Sequence, residues 1–163
     1  MQHRKPSAGS PDTAGEGHGG FTAEERAAMK EHAQEVRRAA ARRGSRATRA
    51  EKAAAAEQEV LAKIAEMPEA DRVLAERVHA LVRRAAPELA PRLWYGMPAY
   101  ARDGKVVCHF QGAGKFRTRY ATLGFSDQAA LDDGAVWPVA YALRELTETE
   151  ERFLTELLAR AVA

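Results

Sequence analysis

Only one cysteine, Cys108, occurs among the 163 residues, so no disulfide can form within the chain. A single cysteine is typical of a protein from a reducing compartment. The sequence has no apolar run near the roughly 18 residues that a membrane-spanning helix needs. The N-terminus reads Met-Gln-His-Arg-Lys and lacks the basic-then-apolar pattern of a signal peptide. These absences predict a cytoplasmic protein that has no membrane partner.

The motifs of common catalytic and metal sites are also missing. There is no serine nucleophile elbow and no Cys-His-Asx set. The segment 112–115, Gly-Ala-Gly-Lys, is too short for a phosphate loop, and Phe116 stands where the loop needs a hydroxyl. Cys108 and His109 project to opposite faces of a predicted strand, so they cannot share a metal ion. The sequence therefore favours a non-enzymatic protein, and any cofactor stays unknown.

Positive charge is concentrated near the N-terminus. Residues 1–52 hold 11 Lys/Arg and 7 Asp/Glu, a net +4, whereas residues 53–163 hold 14 and 16, a net −2. The arginines of this basic stretch are Arg37, Arg38, Arg42, Arg43, Arg46 and Arg49. They could contact nucleic acid through phosphate groups. The stretch has no interleaved aromatic residues and no recognised DNA-binding motif, however, and a solvated, partly mobile pair of helices is the favoured explanation.

Composition and periodicity divide the chain into three parts. Residues 1–20 are rich in Gly, Pro and Ser and are predicted to be a disordered tail. Residues 21–56 are predicted to be a basic, Ala/Arg-rich helical extension. Residues 57–163 carry dense apolar periodicity and are predicted to form the folded domain. Capping boxes at Thr22, Thr48 and Thr147, each followed three residues later by Glu, predict three helix starts.

The second half of the chain changes to strand patterns. Asp103-Gly104 is a strong hairpin signal, and alternating residues predict strands at Lys105–Gln111 and Phe116–Phe125. A short helix is predicted at Asp127–Asp132, and a last strand, interrupted by Pro138, at Val136–Leu143. We therefore predict an α+β fold: a small antiparallel sheet of three to four strands packed with N-terminal helices and a C-terminal helix.

One segment carries a resemblance to a known family. The run Tyr95–Tyr100, Tyr-Gly-Met-Pro-Ala-Tyr, followed by 104–107, Gly-Lys-Val-Val, resembles the YdhG-like family of bacterial domains of unknown function. The later segments 131–134, 137–138 and 142–143 are similar to one subgroup of that family. The resemblance covers roughly residues 57–162 and implies a small α+β fold. One member of the family is described as a frataxin-like iron chaperone.

An iron site does not carry over to this chain. Hard cations need several converging oxygen ligands, and the acidic residues here are scattered along the sequence instead of forming a dense ridge. We therefore assign no residue as a metal ligand.

The aromatic segment around the Tyr-Gly-Met-Pro run is the best candidate for a ligand site. The candidate residues are Trp94, Tyr95, Met97, Tyr100, Lys115 and Arg119. Our hypothesis is a concave site flanked by Tyr95, Met97 and Tyr100, with Lys115 or Arg119 at its rim, which would suit an anionic organic ligand. The alternative is that the apolar members belong to the core and that the cations form an ordinary solvated face of the sheet.

Two classes of function follow from these observations. The first is a non-enzymatic binding domain for an unknown small molecule, a metal or a protein partner. The second is a nucleic-acid-associated protein that uses the basic N-terminal helices.

Overall fold

The computed structural model describes residues 20–163, which form four helices and a five-stranded sheet. The tail predicted over residues 1–20 lies outside the described residues except for Gly20. The helices are α1 (Ala23–Gly44), α2 (Arg49–Ala65), α3 (Glu69–Ala85) and α4 (Glu148–Ala161). The strands are β1 (Ala90–Trp94), β2 (Met97–Arg102), β3 (Lys105–Gln111), β4 (Ala121–Phe125) and β5 (Ala140–Leu143).

Three of the four helices begin where the capping boxes predicted. Thr22, Thr48 and Thr147 are the residues before α1, α2 and α4, and each forms both hydrogen bonds of the box with the glutamate three residues later. These bonds satisfy backbone N–H groups that have no partner inside the helix. Helix α3 follows Pro68, whose side chain makes no capping bond.

The sheet is antiparallel throughout, with the strand order β1-β2-β3-β4-β5. The predicted hairpin at Asp103-Gly104 joins β2 to β3, and both residues have positive φ angles, 51° and 80°. Such angles belong to the two-residue turns whose twist matches that of the flanking strands. The α+β prediction is confirmed, with five strands in place of three or four.

Strands β1 and β2 were not predicted, because each contains a proline. Pro91 lies in β1, which is an edge strand, where a missing N–H is tolerated. Pro98 in β2 precedes Ala99, the first residue that pairs with β3. The two strands are joined by Tyr95 and Gly96, whose φ angles are 52° and 73°, so the aromatic segment is a hairpin and not an irregular bend.

Three predicted elements are shorter than expected or absent. The strand predicted at Phe116–Phe125 is present only as β4, because Arg117 has a φ of 56°, which an extended strand cannot contain. The last strand, predicted from Val136, begins only at Ala140, beyond Pro138. No helix forms over Asp127–Asp132, where the backbone makes turns and bends instead.

The hydrophobic core lies between one face of the sheet and helices α2, α3 and α4. Register places Tyr100 opposite Cys108 and Phe110 opposite Leu123, so these side chains share that face. All are fully buried and pack with side chains of the three helices. The helical members of the core are Val60, Ile64, Leu74, Ala75, Val78, Leu81, Val82, Leu154, Leu157, Leu158 and Ala161.

Helix α2 crosses the boundary that was predicted at residue 57. Its residues Val60 and Ile64 belong to the core, while its first turn starts at Arg49. The division into a helical extension and a domain therefore stays a prediction, with a continuous helix at its border. None of the helices in residues 20–163 is long and apolar enough to cross a membrane.

The opposite face of the sheet has a close contact between His109 and Gly124, which are paired across β3 and β4. A Cβ atom on Gly124 would lie 2.5 Å from Cε1 of His109. The ring cannot easily move away, because Trp94 packs edge-on against it with a centroid distance of 5.1 Å.

We therefore expect Gly124→Ala to lower the free energy of unfolding by about 1–3 kcal/mol, the usual cost of overpacking. In a His109→Ala background the same substitution should cost clearly less, because the clashing ring is gone. Urea denaturation of the four proteins of this double-mutant cycle measures the difference. Equal costs in both backgrounds would mean that the ring does not restrict Gly124.

Candidate functional site

Helix α1 contacts the rest of the molecule mainly through charged side chains. Its buried residues are Ala28 and Glu35, and Glu31 is half-buried on the same side. The apolar side chains of Met29 and Val36 are exposed instead. A helix with this arrangement is attached by hydrogen bonds and ion pairs, not by a hydrophobic stripe.

The Glu35 carboxylate binds the turn between β1 and β2. It accepts hydrogen bonds from the backbone N–H groups of Tyr95, at 2.9 Å, and Gly96, at 2.6 Å. Both turn residues are in the left-handed region, so their successive N–H groups form a concave anion-binding nest. The His32 ring stacks on Tyr95 with a centroid distance of 4.0 Å and an interplanar angle of 8°. One turn of α1 thus covers the Tyr-Gly pair of the Tyr-Gly-Met-Pro run.

The Glu31 carboxylate lies between two lysines. Lys115 Nζ is 2.6 Å from Glu31 Oε2, and Lys63 Nζ binds the other oxygen, Oε1. Burial alone would raise the pKa of Glu31, but the hydrogen bonds from both lysines outweigh this effect and lower it. A Cβ atom on Gly96 would lie 2.7 Å from Lys115 Nζ and would also meet Glu31, so any larger residue would push the ends of these two side chains away from the turn.

The Asp71 carboxylate of α3 binds the loop between β3 and β4 in a similar way. It is 5% exposed and accepts hydrogen bonds from the N–H groups of Ala113, at 2.9 Å, and Gly114, at 2.8 Å. A Cβ on Gly112 would lie 2.8 Å from Asp71 Oδ2. Gly112 and Gly114, which superficially resemble part of a phosphate loop, therefore allow the Asp71 carboxylate to approach the backbone of this loop closely.

A cleft of about 220 Å³ lies between the two bound loops, and we call it the turn cleft. Its walls are Glu31, Lys63, Glu66, Met67, Pro68, Asp71, Gly96, Met97, Phe110, Gly112, Gly114 and Lys115. Its charged groups come from α1, α2, α3 and the β3–β4 loop, and Met67, Met97 and Phe110 provide apolar surface. The structure thus offers a small site with a polar side and an apolar wall.

Two of the six predicted site residues, Met97 and Lys115, line the turn cleft together. Tyr95 lies next to it, covered by His32, and Trp94 contacts Tyr95 edge-on at a centroid distance of 5.3 Å. Arg119 is exposed and lies over the ring of its neighbour Tyr120, 5.5 Å from the centroid, outside the lining of the cleft.

The sixth predicted residue, Tyr100, lies in the core. It has 0% exposure, and its hydroxyl is 3.1 Å from Nδ1 of His79, whose Nε2 lies 3.2 Å from Glu57. Burial raises the pKa of Tyr100 well above its usual value, so the phenol stays protonated and can donate to His79. Its geometry matches the core interpretation and not a pocket wall.

The sequence analysis missed the acidic residues that organise the site: Glu31, Glu35 and Asp71. One signal was present, because Glu24, Glu31 and Glu35 share one face at helical spacing, on a helix without an apolar stripe. Apart from His32, which lies next to Glu35 on the helix, their partners are 32 to 84 residues away in the chain, and no local pattern identifies them.

The basic stretch of the N-terminal helices is largely free of ion pairs. Arg42 forms one, with Glu59 at 2.6 Å. The others are exposed and make no ion pair with any residue in the range 20–163: Arg37, Arg38, Arg43, Arg46 and Arg49. The structure therefore leaves these five side chains exposed to solvent.

The buried histidine predicts how stability depends on pH. Burial lowers the pKa of His79, although Glu57 acts in the opposite direction, and Arg83 adds to the lowering. The unfolded chain therefore binds a proton at His79 more readily than the native protein does. Stability from this group is fully present above the unfolded pKa, about 6.5, and is lost as the pH falls below it. Burial lowers the pKa of His109 too, so this group also loses its contribution to stability as the pH falls.

We expect the free energy of unfolding to decrease between pH 7 and pH 5.5, by at most about 1.4 kcal/mol per pH unit for each histidine. Urea denaturation across this range should show a shallower pH slope for His79→Gln, whatever its absolute stability. If the pH dependence of the free energy of unfolding is unchanged in both His79→Gln and His109→Gln, the two histidines are not its cause.

The chemistry that this site offers is recognition of carboxylates by backbone N–H and lysine groups. No group of three or more His, Cys, Asp or Glu within residues 20–163 is arranged to hold a metal ion. No family model, curated protein or solved structure matches the chain.

Proposed function

We propose that the chain is a YdhG-like, non-enzymatic binding domain that recognises a carboxylate-bearing ligand beside the Tyr95-Gly96 turn. One observation carries the proposal: two backbone N–H groups and two lysines converge there, and all four bind carboxylates of α1. Charge-assisted hydrogen bonds of this type are the strong ones in proteins. The family assignment is supported by the Tyr-Gly-Met-Pro segment, which forms this turn.

The turn cleft supports an organic ligand in preference to a bare anion. It extends from the lysines to the apolar surface of Met67, Met97 and Phe110. A ligand with a carboxylate at one end and an apolar body could use both surfaces. Because Glu31 and Glu35 already occupy the donors, such a ligand must compete with them.

The test uses the Glu31→Gln/Glu35→Gln chain, in which the competing carboxylates are neutral, with citrate as the probe. We expect saturable shifts of the Tyr95 and Gly96 amide resonances in the double variant, and smaller shifts in the unchanged chain at equal citrate. Glycerol, a neutral probe, should shift neither amide. If Glu35→Gln unfolds the protein, the single variant Glu31→Gln allows the same comparison at the Lys115 side chain.

The matched control adds Lys115→Met to the double variant, which removes a donor and keeps much of the side-chain length. This protein should bind citrate distinctly more weakly. Absence of saturable shifts in the double variant, or identical shifts with and without Lys115, would refute carboxylate recognition at this turn.

The second candidate function, association with nucleic acid, is supported by the five exposed arginines that make no ion pair within the described part of the chain. This alternative predicts salt-sensitive retention on heparin, since phosphate contacts release counterions. Changing Arg37, Arg38 and Arg43 to Gln should then move elution to clearly lower salt. Equal elution of the variant and the unchanged chain would remove the support for this function.

A further inference from the structure

We infer that the groups beneath α1 form a docking site for an acidic helix of a partner protein, and that α1 is the chain's own occupant of that site. This inference rests on the proposed carboxylate recognition and names the ligand's chemistry. We call these groups the donor row: Arg117, Lys115, Lys63 and the N–H groups of Tyr95 and Gly96.

The donor row matches the spacing of carboxylates on a helix. Glu24 pairs with Arg117 at 2.9 Å, Glu31 with the two lysines, and Glu35 with the turn. These glutamates are 7 and 4 residues apart and lie on one helix face. At 1.5 Å per residue they span roughly 16 Å. A single small carboxylate cannot satisfy donors over this length, whereas an acidic helix can.

Helix α1 can leave this site without exposing a hydrophobic core. No large apolar side chain of α1 is buried, in contrast to α2, α3 and α4. Within residues 20–163, it is also held by the small buried side chain of Ala28, the stacking of His32 on Tyr95 and the ion pair between Arg42 and Glu59. The ion pairs of Glu24 and Glu31 are partly exposed, so added salt screens them and weakens the attachment of α1.

The connection to α2 allows such a movement. Helix α1 ends at Gly44, and α2 starts with its own capping box at Thr48, which satisfies its first N–H groups independently of α1. Detachment of α1 therefore does not require α2 to unwind. The donors that lose their α1 partners are Lys63, Lys115, Arg117 and the turn, and carboxylates of the same spacing on another helix fit them in place of the α1 glutamates.

The experiment uses the full chain and, as probe, a fluorescein-labelled peptide of residues 21–44, followed by fluorescence anisotropy at low salt. The tethered helix competes with any added helix and reduces its apparent affinity. We expect the peptide to bind the Glu31→Gln/Glu35→Gln chain about ten-fold more tightly than the unchanged chain. Binding should weaken as salt is added.

Two controls define the chemistry. A peptide in which the residues corresponding to Glu24, Glu31 and Glu35 are Gln should bind much more weakly to either chain. Adding Lys115→Met to the double-variant chain should weaken binding of the acidic peptide. Equal binding of the acidic and neutral peptides would overturn the inference.

The outcomes separate this inference from the proposed function. If citrate shifts the Tyr95 and Gly96 amides of the double variant but the acidic peptide does not bind it, carboxylate recognition stands and the helix-docking inference fails. If neither probe binds, both fail. A doubling of mass by light scattering, with α1 exchanged between copies, would overturn the assignment to a partner protein.

Discussion

Replacement of Tyr100 by Ala is expected to lower the free energy of unfolding by about 3–5 kcal/mol, the cost of removing a large aromatic side chain from a core. The ring has 0% exposure and shares the buried face of the sheet with Cys108 and Phe110. Urea denaturation measures the loss. As a matched control, Tyr120→Ala should stay within about 0.5 kcal/mol, because Tyr120 is 39% exposed.

Tyr100→Phe isolates the hydroxyl group from the ring. It keeps the aromatic packing but leaves Nδ1 of His79 without its partner at 3.1 Å, and we expect a cost of about 1–3 kcal/mol. If Tyr100 instead flanked a ligand pocket, Tyr100→Ala would cost only modest stability and would weaken ligand binding. A cost below roughly 1 kcal/mol for Tyr100→Ala would return Tyr100 to the candidate ligand-binding residues.

The second large effect is expected for Asp71→Ala, which should cost about 3 kcal/mol. Two backbone N–H groups, of Ala113 and Gly114, each lose a hydrogen bond to a charged acceptor, and bonds of this kind contribute about 1.5–3 kcal/mol. We expect Asp71→Asn to cost less, because its amide oxygen can still accept one of the two bonds. The exposed Asp127 provides a control substitution, Asp127→Ala, with little expected change.

Amide hydrogen exchange gives a second readout for Asp71. In Asp71→Ala the amides of Ala113 and Gly114 should exchange faster, while those of the β2–β3 hairpin keep their protection. Unchanged exchange at both loop amides, together with a small loss of stability, would show that the carboxylate does not hold the loop.

Local signals in the sequence were sufficient for three helix starts and for one hairpin. Capping boxes and Asp103-Gly104 act over two to four residues, so the information needed to place them is contained in short segments. The β1–β2 hairpin was not predicted, because its two prolines suggested a break in the chain. Whether a strand can contain a proline depends on the position of that strand in the sheet, which the local sequence does not give. The left-handed Arg117 similarly ended a strand that alternation alone would have extended.

The candidate site could be predicted only in part. Met97 and Lys115 were identified by residue type, and the structure places both in one cleft. Tyr100 was grouped with them because the hairpin that sends alternate residues to opposite faces was not recognised. Asp71 could not be found in this way, and the helical spacing that groups Glu35 with Glu31 does not identify the distant backbone turn that Glu35 binds.

The order of the strands in the sheet also bears on how quickly the chain can fold. Every strand pairs with the next one along the chain, so the sheet can grow by adding one neighbouring strand at a time. Short loops cost little entropy to close, and folds that are rich in local pairings form fast. Helix α4 packs against α3, and the whole sheet lies between these two helices in the chain. We therefore expect this packing to form late in folding. Substitutions at Leu157 or Leu158 should then act mainly on the unfolding rate, and those in the β2–β3 hairpin on the folding rate.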